Sequence, residues 1–167
     1  MGPVLVEAFR YNKWANLHLI DVCMKLSDDQ LRLTAPGTYG TIAATFLHLL
    51  GAEQRYLARF GAGEARITER DEFPGLAVLK QHAVRSGDQL IEAAGQITPE
   101  DTIESTREGR ATRMNLGVVL IQAMHHGNDH RTHICTILGH HEIPYGEMDV
   151  WEYGSTIGAI VPVASSS

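Results

Sequence analysis

The sequence contains little cysteine, little lysine and no long apolar stretch. Its two cysteines, Cys23 and Cys135, lie far apart along the chain, which favours a reducing compartment over a disulfide framework. Lysine occurs three times and the formal net charge is -6, so the basic stripe typical of nucleic-acid binders is missing. No apolar run approaches the ~20 residues that span a bilayer, and the first residues lack a signal-peptide pattern. We therefore expect a cytoplasmic protein that binds neither nucleic acid nor membrane.

What is present is a regular pattern of apolar residues. The chain of 167 residues is 44% hydrophobic, which fits one domain over residues 1–167 with an irregular tail at 145–167. Apolar side chains recur every three or four positions in four segments, which predicts amphipathic helices over 4–25, over about 39–60 or 42–60, over 76–96 and over 116–138. Thr38 or Thr41 is the predicted cap of the second helix, and Asn115 is the predicted cap of the fourth. In residues 102–112 two polar and β-branched segments flank Glu108 and Gly109, which indicates a small hairpin or an extended loop.

Four helices of about this length bury their apolar faces most economically as a four-helix bundle. The predicted fold class is therefore all-α, with a short hairpin or extended loop before the last long helix. A three-helix core with a loosely attached fourth helix is the alternative that the pattern leaves open.

Histidine is the unusual residue. There are nine, and six of them lie between His125 and His141. The inward stripe of the fourth predicted helix passes through two of these at steps of three and four: Leu116, Val119, Ala123, His126, His130 and Ile134. Histidines four residues apart have their Cβ atoms roughly 6 Å from each other on one helix face. Both imidazoles can therefore reach one divalent ion at about 2.0–2.1 Å.

The second predicted helix supplies a third candidate ligand. Residues 42–50 are apolar except for Thr45 and His48, which form one narrow polar line on the helix with Thr41. A buried polar group without a partner costs about 1–3 kcal/mol, so these side chains need hydrogen-bond or metal partners. A metal ion held by three inward histidines from two helices would satisfy it and would keep positions open for water or substrate.

The pattern by itself also fits a simpler interpretation. A single histidine on an apolar face is commonly a hydrogen-bonded core residue, and H-x-x-x-H pairs arise by chance in a histidine-rich chain. The pair is not a zinc-protease motif, because Gly127 stands where that motif places its glutamate. Spacing alone supports the metal site and the core interpretation about equally.

The order of motifs resembles the DinB-like (damage-inducible) family of metal-dependent four-helix bundles. The resemblance covers about residues 5–140. It begins with an aromatic-x-x-Trp-Ala-Asn motif at 11–16, and residues 26–31 are similar to the family's first inter-helix segment. Thr41-Ile42 followed by His48 and Glu53, and H-x-x-x-H-R at 126–131, complete the match. It implies that His48, His126 and His130 bind one divalent ion, often zinc or nickel, and that the protein is a homodimer. The chain departs from the family pattern at His125 and His133, and either histidine is a candidate to compete as a ligand or to lie beside the site. Thr45 and Arg131 are also candidates to line the site.

The same resemblance implies several activities. The first hypothesis is a metal-dependent transferase in which the ion activates a low-molecular-weight thiol against a small-molecule electrophile. Arg131 would hold an anionic thiol, or would simply pair with an acid at the helix surface. The second is a metal-dependent hydrolase, for which Glu53, five residues after His48, is a poorly placed general base. The third is a non-enzymatic metal- or ligand-binding dimer with a role in the stress response.

Overall fold

The computed structural model describes residues 3–61, 67–68, 71–107 and 109–163 of the chain. Its helices, in chain order, are α1 (Pro3–Cys23), α2 (Asp28–Leu31), α3 (Ile42–Ala58), α4 (Leu76–Gln96), α5 (Leu116–His140) and α6 (Val150–Thr156). Two antiparallel strands, β1 (Thr102–Arg107) and β2 (Arg110–Asn115), pair in register from Thr102 with Asn115 to Arg107 with Arg110. The all-α class and the predicted hairpin are both confirmed.

The four long helices form a closed ring. Helix α1 packs against α4 and α5, and α3 packs against the same two helices from the other side. Every long helix thus has two long neighbours, which is a four-helix bundle and not the three-helix alternative. Among the described residues, no helix combines the length and the apolar character needed to cross a membrane.

The core has two apolar clusters, one toward each end of the bundle. The first is built around residues such as Leu19, Ile42, Phe46, Leu79 and Ile134, and the second around Phe9, Leu57, Leu90 and Leu120. The apolar faces predicted for the long helices therefore point into the core.

Side-chain caps fix where the two histidine-bearing helices begin. Thr41 accepts a hydrogen bond from the backbone nitrogen of Ala44 at 3.1 Å, and Asn115 accepts one from Gly117 at 2.8 Å. Each satisfies one of the amide donors that a helix leaves open in its first turn. These caps hold α3 and α5 in the register that places their histidines at the bundle interior.

Two short helices were not expected from the sequence. The residues just after the first predicted helix form α2, because Ser27 and Gln30 make a reciprocal capping box. The predicted irregular tail contains α6, which Asp149 caps and which Tyr153 anchors by burying its ring against Trp14 of α1. Helices of four and seven residues are too short to show an apolar period, so packing and capping decide them. Residues 164–167 of that tail lie outside the described residues.

Candidate metal centre

Three histidines from two helices meet inside the bundle. His48 of α3 faces His126 and His130 of α5, and one ring nitrogen from each lies within 4.8 Å of the other two. The Nε2 atoms of His48 and His126 are 3.0 Å apart, and the three ring centroids are separated by 4.3–4.9 Å. The structure thus brings together all three residues that the sequence predicts as ligands, while their binding of an ion stays a prediction.

The donor set fits a divalent transition metal. Tetrahedral coordination at about 2.0–2.1 Å puts neighbouring ligand nitrogens roughly 3.3 Å apart, so small ring movements would bring these three to that spacing. Three neutral imidazoles suit zinc, nickel, copper or iron, and they leave at least one position for water or substrate.

The electrostatics of the site keep His126 neutral. Burial lowers the pKa of His126 to about 4, and the nearby His130, His48 and Arg55 act in the same direction. At neutral pH this imidazole therefore keeps a lone pair for a metal ion instead of a proton, as ligand histidines must.

Aromatic rings form part of the wall around the three histidines. Tyr39, in the loop before α3, stacks on His48 with 4.1 Å between ring centroids and meets the edge of His130 at 5.1 Å. Tyr56 of α3 contacts His126 edge-on at 5.8 Å. No periodic pattern points to Tyr39 in the sequence, because this residue lies in a turn-rich loop whose path depends on tertiary packing.

The other residues predicted near the site take different places. Thr45 is fully buried, but its hydroxyl donates a hydrogen bond to the Thr41 carbonyl at 2.7 Å. His125 is exposed and outside the cluster. His133 is half-buried one turn after His130, and the centroids of these two rings are 5.3 Å apart.

Arg131 points away from the histidines into a buried polar network. Its Nη1 donates to the Oδ1 atoms of Asn12 and Asn16 at 2.8 and 2.6 Å. Those two amides donate in turn to Glu53 at 3.0 and 2.8 Å, and Ser86 donates to the same carboxylate at 2.6 Å. The two asparagines therefore bridge a guanidinium and a carboxylate, and one network joins α1, α3, α4 and α5.

This network corrects the surface role considered for Arg131. The residue is 3% exposed, so it forms no ion pair at the helix surface, and its Nη1 donates to two asparagines. Burial raises the pKa of Glu53, while the hydrogen bonds from Ser86 and the asparagines and the charge of Arg131 oppose that rise. Asn12, Asn16, Glu53 and Arg131, which belong to the motifs shared with the DinB-like family, thus hold the four helices together.

Gly127 has a packing role in the same place. A Cβ atom on this residue would lie 2.6 Å from Oδ1 of Asn12 and 3.1 Å from Nη1 of Arg131. Only glycine lets α5 approach the buried network this closely. The residue that rules out a zinc-protease motif in the sequence is therefore required by helix packing.

A four-helix bundle with a buried polar network and three converging histidines fits a metal-binding protein. The chain belongs to the DinB family, whose model matches residues 1–148. It is also similar in fold to a DinB-like protein of Bacillus cereus ATCC 10987, known from a crystal structure. That match has a TM-score of 0.60 and 18% sequence identity, and it covers 86% of this chain and 94% of the other. No curated protein matches the chain.

Proposed function

We propose that this protein binds one divalent ion, zinc or nickel, through His48, His126 and His130. The observation that carries the proposal is the convergence of three ring nitrogens, from two helices, within 4.8 Å. The lowered pKa of His126 adds to it, because a metal ion then meets little competition from protons at that ring.

We further propose that the protein is a metal-dependent transferase that uses a low-molecular-weight thiol. A metal ion with three imidazoles and an open position supplies a way to hold a thiol as its nucleophilic thiolate. The histidines would hold the ion, and the rings of Tyr39 and Tyr56, which contact these histidines, would form part of the surroundings of the reaction. The second substrate would be a small-molecule electrophile.

One observation favours transfer over hydrolysis. A metal-dependent hydrolase commonly uses a carboxylate as general base, but the acid in the family-like motif, Glu53, is 1% exposed and accepts three hydrogen bonds from Asn12, Asn16 and Ser86. Its carboxylate is thus committed to structure. Hydrolysis, or a non-enzymatic role of the metal-binding dimer in the stress response, remains the alternative.

The experiment compares metal-loaded wild type with His130→Ala in assays with bacillithiol, mycothiol and glutathione against chloro-aromatic and epoxide acceptors. We expect thiol transfer that requires both the metal and His130. Ester or amide hydrolysis that requires the metal, without thiol transfer, would favour the hydrolase. Neither activity, together with a fall in melting temperature on chelation, would favour the non-enzymatic role.

We also propose that the protein works as a cytoplasmic homodimer. Val118 and Ile121 are each 62% exposed and lie one turn apart on α5, which is consistent with helix-on-helix packing between two copies. Light scattering on the purified protein tests this, and a mass of one chain would contradict it.

A further inference from the structure

A second group of potential metal ligands lies on α5 beside the candidate metal centre. Asp129, His130 and His133 each offer one ligand atom, and these atoms all lie within 4.8 Å of one another. Asp129 and His133 are four residues apart and share a helix face, and His130, three residues before His133, lies on the inner side of that face. A carboxylate and two imidazoles are a ligand set that zinc and similar divalent metals use in proteins.

The burial of these residues changes from one side of the group to the other. Asp129 is exposed, His133 is half-buried and His130 is 6% exposed. The group therefore runs from solvent to the bundle interior, where His130 also meets His48 and His126.

The surroundings of His133 give an independent reason to consider a cation here. Its Nδ1 is buried, and none of the described residues hydrogen-bonds to it. A buried polar atom in this state costs about 1–3 kcal/mol, and native proteins contain few such atoms. A cation bound between Asp129 and His133 would interact favourably with this buried imidazole.

We propose that Asp129, His130 and His133 form an outer site for a divalent transition metal, distinct from the inner centre of His48, His126 and His130. The inference rests on the proposed function only through His130, which belongs to both groups. A neutral imidazole offers one lone pair, so a metal ion at the outer site takes His130 away from the inner centre. The two sites are therefore occupied alternately, with one ion per chain in total.

The experiment removes the inner centre and keeps the shared ligand. Zn²⁺ is titrated by calorimetry into wild type and into the double variant His48→Ala/His126→Ala, with helicity followed by circular dichroism. We expect one ion per chain in both, bound at least roughly tenfold more weakly by the double variant, because the exposed Asp129 must be ordered on binding.

Adding His133→Ala or Asp129→Asn to the double variant should then abolish binding. His125→Ala is the matched control, since this histidine lies exposed on the same helix and belongs to neither group. It should leave the affinity of the double variant unchanged.

Each result separates the outer site from the proposed function. A folded double variant that binds no Zn²⁺, beside a wild type that binds one ion, would overturn the outer site and leave the inner centre standing. A double variant that binds as tightly as wild type, with all binding lost in His133→Ala, would leave the outer site and overturn the inner centre. Two ions per chain in wild type would contradict the sharing of His130.

Discussion

At the scale of single residues, the protonation of His126 links the site to the stability of the metal-free protein. Burial lowers its pKa from 6.5 to about 4 in the folded chain, so between these values the unfolded state binds more protons than the folded state. The free energy of unfolding contributed by this group is thus complete above pH 6.5, and it is lost as the pH falls toward 4.

We therefore expect wild type without metal to lose stability between pH 6.5 and 4 more steeply than His126→Gln, which has no group to titrate there. Urea unfolding at pH 7.5, 5.5 and 4.5 measures the difference. His125→Gln serves as the control because His125 is exposed. If wild type and His126→Gln have the same pH dependence, the imidazole is not buried as described.

Arg131 is the residue whose loss should cost the most stability without any direct contact with the proposed ion. Replacing it by methionine removes a buried positive charge from beside Glu53 and leaves acceptors of Asn12 and Asn16 without their donor. Breaking a buried charge network from one side costs about 3–5 kcal/mol.

The matched substitution is Arg113→Met, since Arg113 forms an exposed ion pair with Glu104 at 2.7 Å. An exposed pair of this kind is worth about 0–1 kcal/mol. Urea unfolding of both variants should show the larger loss for Arg131→Met. Equal losses would mean that the buried network adds nothing to stability beyond a surface ion pair.

At the scale of helices, the close approach of α1 and α5 depends on Gly127. Alanine at this position favours the helix by about 1 kcal/mol, but its Cβ would collide with Asn12 and press on Arg131. Overpacking of this kind costs about 1–3 kcal/mol, so Gly127→Ala should lower the free energy of unfolding.

Gly139→Ala in the same helix is the control for Gly127→Ala. The nearest atom to its added Cβ is 3.9 Å away on Tyr145, which is an ordinary contact. This variant should be as stable as wild type or slightly more stable. A Gly127→Ala variant as stable as Gly139→Ala would show that α1 and α5 can separate without cost.

The elements differ in how well the sequence predicts them. The long helices carry enough turns for the apolar period to show. Asn115 caps α5 as predicted, and of the two caps considered for α3 it is Thr41 that accepts the helix amide. The helices α2 and α6 depend on local caps and, for α6, on the contact of Tyr153 with α1, which no short window of sequence reveals. Predicted ends also shift by a residue or two where helices fray.

At the scale of the whole molecule, the histidine trio could be predicted because burial and spacing restrict which side chains reach the interior. His126 and His130 share a face through a spacing of four, and His48 is a polar exception in an apolar helix. The network of Glu53 and Arg131 could not be predicted in the same way. Its partners lie between 33 and 119 residues apart in sequence, so only the packed bundle shows which polar residue meets which.

The central claim is that three histidines hold one divalent ion, and metal content tests it most directly. Elemental analysis of purified, tag-free wild type should find about one divalent ion per chain. His48→Ala and His126→Ala should each retain much less metal after dialysis, with helicity unchanged by circular dichroism, while His125→Ala should retain the wild-type amount. A wild type that holds no metal even after reconstitution at pH 8 would contradict the account and make the three histidines core residues of the bundle.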